Sequence, residues 1–194
     1  MHKRDFIAAA VAATALPALG QGQAAKALRG PALLTITGPG VQPNRGPFDP
    51  VLDQMMAKQK LSFERAHAFD FAALAAMPAV TIRPTLEYDN KQHRLSGPLL
   101  THVLQAAGVR GGENLKLAMR AVDGYSPTLT LADARKYRYI VATQLDGRPM
   151  PLGGLGPLWG VYDADRHPDM AAKPVDQRFA SSPWALYYIA VEPG

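Results

Sequence analysis

The chain has 194 residues, 47% of them hydrophobic and 19% charged, which suits one globular domain with a real core. Its formal net charge is +5, but the basic residues are scattered with no run of five or more, which argues against nucleic acid as a partner. It contains no cysteine, and that excludes disulfides, thiolate metal sites, cysteine nucleophiles and iron–sulfur clusters.

Residues 1–20 predict an export signal peptide. His2-Lys3-Arg4 is a basic head, residues 6–16 are an apolar run, and Ala18-Leu19-Gly20 supplies small residues for cleavage. Lys3-Arg4-Asp5-Phe6-Ile7 is similar to a twin-arginine signal with Lys in the first place. The expected location is periplasmic or otherwise exported. Residues 21–32 then predict a linker, and residues 33–194 the folded domain.

Within that domain, residues 33–37 predict a first strand and residues 38–47 a loop. Asp49-Pro50 has the form of an N-cap with Pro at the first helical position, opening a helix through Lys58. Leu61, Phe63, Arg65 and His67 alternate with Ser62, Glu64 and Ala66, a strand pattern. Asp70 predicts the cap of a short helix over 71–77, closed by Pro78. Residues 80–86 are β-prone and carry Pro84, which places them near a sheet edge or a bend.

Gly97-Pro98 opens the clearest helix, residues 99–107, with Leu100, Val103, Leu104 and Ala107 on one face and Gly108 as its stop. Residues 115–122 alternate as a half-buried strand. Residues 128–131 and 138–145 are further strands, and Asp146-Gly147 is a hairpin turn leading to Pro149-Met150. Residues 157–162 and 184–191 complete a β-rich half. The expected class is α+β, with a mixed or antiparallel sheet and few short helices.

Four segments in fixed order carry a family resemblance. They are the helix Gly97-Pro98-Leu99-Leu100-Thr101-His102-Val103-Leu104-Gln105-Ala106-Ala107-Gly108-Val109, and the turn Asp123-Gly124-Tyr125-Ser126 with residues 129–134. The others are Tyr139-Ile140-Val141-Ala142 with Asp146-Gly147-Arg148-Pro149-Met150, and the closing strands Gly156-Pro157-Leu158, Val161-Tyr162, Trp184 and Ile189-Ala190-Val191. Together they resemble the molybdopterin-binding domain of the sulfite-oxidase type, in its short, exported, single-domain form.

The departures shape what the resemblance implies. In that family a cysteine thiolate in the loop before the helix holds the metal; here the loop is Pro84-Thr85-Leu86-Glu87-Tyr88-Asp89-Asn90-Lys91, without sulfur. A histidine and an arginine that hold the pterin match Gly154 and Trp159, and a lysine matches Pro183. A pterin phosphate needs Arg, Lys or backbone donors to offset desolvation. The resemblance therefore implies the family's scaffold without molybdopterin, and no cofactor is expected.

Other chemistry is sparse. His2, His67, His93, His102 and His167 include no i, i+4 pair and have no usefully placed acidic partner. Asp163, Asp165, His167 and Asp169 alternate like a carboxylate–histidine metal site, against which stands the reading of a solvated loop before Pro168. Ser126, Ser181 and Ser182 sit in no nucleophile elbow, and Gly153-Gly154-Leu155-Gly156 is not followed by Lys-Ser/Thr, so it is not a phosphate loop.

The resemblance places Arg83 and Tyr88 at the former metal loop and Trp159 at a cofactor position. With Asp123, Tyr125 and Trp184 these form the candidate pocket, expected to accept a small apolar or anionic ligand; the alternative is that Trp159 simply fills vacated volume. The expected function is a small-ligand-binding or protein-interaction module that signals to a membrane sensor or another exported protein. One alternative is a periplasmic oxidoreductase binding molybdopterin or another cofactor in an altered mode; another is a structural partner of an exported protein.

Overall fold

A computed structural model describes residues 28–194. The expected leader, and the linker through residue 27, lie outside the described residues. The described chain is α+β, with three sheets and five short helices.

The first strand, β1 (Ala32–Thr37), lies inside the largest sheet, paired along both edges, and both of its faces are covered. Leu34 and Ile36 enter the main core, and Thr37 Oγ1 meets the Tyr188 hydroxyl at 2.6 Å on the other face. It pairs antiparallel with β2 (Ala66–Asp70). Residues 61–65 are not strand, contrary to their alternating pattern. Leu61 and Phe63 instead pack on a satellite cluster around Met56, Tyr187 and Tyr188, and the alternation reflects that packing.

Asp49 accepts from the amides of Val51 and Leu52, so it caps a turn, and the helix α1 (Gln54–Lys58) starts later than expected. Asp70 does cap α2 (Phe71–Ala75), with Oδ1 accepting from Ala73 N at 2.7 Å. β3 (Ala79–Ile82) pairs antiparallel with β4 (Leu95–Pro98), a strand the sequence did not announce because Gly97-Pro98 reads as a helix start. The strand needs that glycine: a Cβ there would lie 2.0 Å from the Val141 carbonyl oxygen. The helix α3 (Leu100–Ala106) follows and buries Leu100, Val103 and Leu104.

The alternating segment is β5 (Lys116–Ala121), paired with β6 (Thr128–Thr130). Thr130 Oγ1 accepts from Asp133 N and caps α4 (Leu131–Lys136). The predicted strand 138–145 is divided into β7 (Ile140–Ala142) and β8 (Gln144–Leu145). Thr143 N donates to the Ser96 carbonyl, and there the chain passes from one sheet to another. The Asp146-Gly147 turn joins β8 to β9 (Arg148–Pro149), with φ near +50° and +81° at its two residues.

β10 (Trp159–Val161) pairs antiparallel with β7. After α5 (Pro168–Ala171), β11 (Leu186–Glu192) closes the large sheet, parallel to β1 and antiparallel to β5, giving the order β2-β1-β11-β5-β6. The remaining sheets are β3-β4-β8-β9 and β10-β7. One continuous core runs between them through Leu95, Leu100, Met119, Ile140, Leu158 and Ile189. Among the described residues, no helix is long and apolar enough to cross a membrane.

Candidate functional site

Three segments converge on one groove. The first is the loop after β3. Its base is fastened by Asp165, whose Oδ2 accepts from both the amide and the hydroxyl of Thr85 at 2.7 Å. Arg178 donates to the other Asp165 oxygen at 2.8 Å, and Leu86 is tucked into the core. With both ends of Leu86 tied to the turn, Leu86 N to the Lys91 carbonyl and its own carbonyl to Asn90 N, Glu87 and Tyr88 are presented outward.

The second segment is the turn between β5 and β6. Asp123 Oδ1 accepts from Tyr125 N at 2.9 Å, and Gly124 has φ +95°, a backbone state that favours glycine. The turn brings up Tyr125, whose hydroxyl donates to the Ala180 carbonyl. The third segment, residues 176–184, is pinned where Trp159 Nε1 donates to the Ser182 carbonyl at 2.9 Å and where Trp159 bridges Trp184.

The resulting groove has a volume of about 270 Å³. Glu87, Tyr88, Asp123, Tyr125, Asp176 and Trp184 line it. Tyr88 is 54% exposed, Tyr125 49% and Trp184 36%, so three of the eight large exposed apolar or aromatic side chains of the described residues gather here. Buried Phe179 and Ser182 complete the lining, and the Ser182 hydroxyl is 4% exposed as a residue with no hydrogen-bond partner. No Lys, Arg or His lines the groove. Removal from water, and then the neighbouring Glu87 carboxylate, push the Tyr88 hydroxyl up to about 12, so it stays neutral at physiological pH.

Of the six residues singled out from sequence, Tyr88, Asp123, Tyr125 and Trp184 meet in this groove. Trp159 does not line it. The residue is 1% exposed, lies beneath the wall against Phe179 at 6.2 Å between ring centres, and fills core volume. Arg83 turns to a different cleft of about 360 Å³, beside His93, Arg94 and Asp146. The groove thus lacks the one cation expected in it. Glu87, Asp176 and Ser182 were not foreseen. Glu87 is adjacent to Tyr88 and Ser182 lies two before Trp184, but nothing local to Asp176 marks it.

The Arg83 cleft corrects the reading of the histidines. His93 has two acidic partners, Asp146 at 2.7 Å on Nδ1 and Asp89 at 3.0 Å on Nε2. Hydrogen bonds to Asp146 first, then Asp89, raise the His93 pKa above 6.5, while the same bonds lower both carboxylates. The spacing of Asp89 and His93, four residues apart, was a signal in the sequence.

The side chains from Asp163 to Asp169 go to separate partners, and the run is not a wholly solvated loop. Asp163 is buried, with Oδ2 accepting from Arg83 N at 3.2 Å; Asp169 pairs with Lys136 and Tyr137 at 2.8 and 2.6 Å. Among the described residues no group of three His, Cys, Asp or Glu side chains is placed to hold a metal ion.

A further cleft of about 280 Å³ lies along β2 and α2. Its Asp70, Asn44 and His67 side chains are engaged within the fold. Asp70 accepts from Arg29 N, Gly30 N and Ala73 N, and His67 Nδ1 bonds the Gln42 carbonyl.

No protein-family model matches the chain, and no curated protein matches it.

Proposed function

We propose that the protein is a small-ligand-binding module, an exported domain of the sulfite-oxidase molybdopterin type that works without the molybdenum cofactor. The observation that carries this reading is the gathering of Tyr88, Tyr125 and Trp184 from three separate segments around one groove. Large aromatic side chains held partly in water beside a concave surface are the usual material of ligand sites.

The residues of the groove do not fit a molybdopterin. That group carries a phosphate and needs a thiolate and cations, but the groove offers Glu87, Asp123 and Asp176 with no basic side chain, and the chain has no cysteine. Trp159, at a position the family gives to a cofactor arginine, is buried and its Nε1 is engaged by Ser182. Pro183 and Gly154, at the other two such positions, carry no donor side chain.

Native mass spectrometry and metal analysis of the protein, exported from a molybdenum-replete host, test this reading. Trace molybdenum and no pterin are expected, with any retained small molecule raising the melting temperature by mass action. Near-stoichiometric molybdenum or pterin would overturn it in favour of an oxidoreductase.

A further inference from the structure

We infer that the groove binds an organic cation, a protonated amine whose ammonium head lies between Trp184, Tyr88 and Tyr125 and faces Glu87, Asp123 and Asp176. The inference rests on the ligand-binding reading above and gives that ligand its charge, in place of the small apolar or anionic ligand expected from sequence.

Three independent features agree. The first is charge: a chain of formal net charge +5 lines this groove with three carboxylates and no Lys, Arg or His. Among the described residues none of the three takes part in an ion pair, whereas Asp53, Asp89, Asp146, Asp165 and Asp169 all do. Like charges left facing one concave surface repel one another until a cation enters, and a low-dielectric wall strengthens their field.

The second is the aromatic set. The faces of Trp and Tyr carry the negative end of the ring quadrupole and attract ammonium and guanidinium groups. Tyr88, Tyr125 and Trp184 line the groove while partly exposed, so their rings can be reached from solvent.

The third is Ser182. Its hydroxyl is buried and has no partner at hydrogen-bond distance, the Tyr139 hydroxyl being only a near neighbour, although buried hydroxyls in native folds are nearly always bonded. An ammonium that retains N–H donors supplies the missing bond, and a quaternary ammonium does not. This favours a primary or secondary amine.

Three probes of one shape, benzylammonium, benzyl alcohol and benzoate, test the inference on the folded chain. The readout is the indole N–H resonances of its two tryptophans, Trp184 in the groove and Trp159 beneath it. Benzylammonium is expected to move the Trp184 signal saturably with a Kd on the order of 1 mM, with benzyl alcohol about tenfold weaker and benzoate without effect. Raised salt should weaken the binding, and Glu87→Gln or Asp176→Asn should flatten that salt dependence. Ser182→Ala should weaken benzylammonium by about fivefold. Benzyl alcohol or benzoate binding as tightly as benzylammonium would overturn the cationic assignment and leave the ligand-binding reading standing. If no probe moves the Trp184 signal, both fall.

Discussion

The loop after β3 lends residues to two clefts, and the two are opposite in kind. On the Arg83 side the acids and the imidazole have company, and two cations stand beside them: His93 is held between Asp89 and Asp146, Asp146 also accepts from Arg94 N at 2.9 Å, and the Arg83 and Arg94 side chains line the cleft. On the Tyr88 side three carboxylates line the groove outside any ion pair, and a buried hydroxyl goes unbonded. A concave surface with charges is therefore not enough to mark a site. Carboxylates paired with cations inside the fold stabilise it, whereas carboxylates gathered beside aromatic faces with no basic side chain among them are placed to meet a cation from outside.

Substitutions can break or sharpen that contrast. The largest effect should come from beneath the groove: Trp159→Ala empties a fully buried position and should cost about 3–5 kcal/mol, lowering the melting temperature by about 10 °C. Trp184→Ala, at a 36% exposed position, should leave thermal stability nearly unchanged and abolish amine binding. Equal losses of stability from both would erase the distinction between core and site.

Next is the clasp of the loop. Asp165→Ala removes the acceptor for Thr85 and Arg178 and should destabilise by about 2 kcal/mol in chemical denaturation. Because the same clasp positions Glu87 and Tyr88, amine binding should weaken with it.

A smaller effect depends on pH. The folded-state pKa of His93 is raised, so its stabilisation is fully present below 6.5 and is lost as pH rises through the elevated folded value. Across that window the melting temperature of the natural chain should fall more than that of His93→Gln. Parallel curves would show that the Arg83 side contributes nothing through His93.

The smallest effect should be Ser182→Ala, with stability changed by less than about 0.5 kcal/mol, since no bond within the fold is lost. A clear destabilisation would mean that the hydroxyl already has a partner.

The sequence made the fold legible where local chemistry decides. Asp70 caps α2, Gly108 stops α3, alternation marks β5, and Asp146-Gly147 makes the hairpin turn. It was silent where a distant residue decides. The break at Thr143 depends on the Ser96 carbonyl, 47 positions away, and the unpaired run 61–65 depends on Tyr187 and Tyr188. The site divides in the same way. Tyr88, Asp123, Tyr125 and Trp184 were found through a resemblance. Asp176 and Ser182 enter only because the segment 176–184 folds back over Trp159, which no local pattern encodes.

The parallel pairing of β1 with β11 lets the hydroxyls of Thr37 and Tyr188, 151 positions apart, meet, and the Gly38 Cα approaches Val191 so closely that a Cβ would lie 2.1 Å from its carbonyl oxygen. While the polypeptide is being made, β1 can hold only β2; its second neighbour does not yet exist. The middle of the largest sheet therefore depends on one long-range closure, the kind of contact whose loop entropy slows folding, and a chain that lacked β11 would leave both β1 and β5 with an open edge.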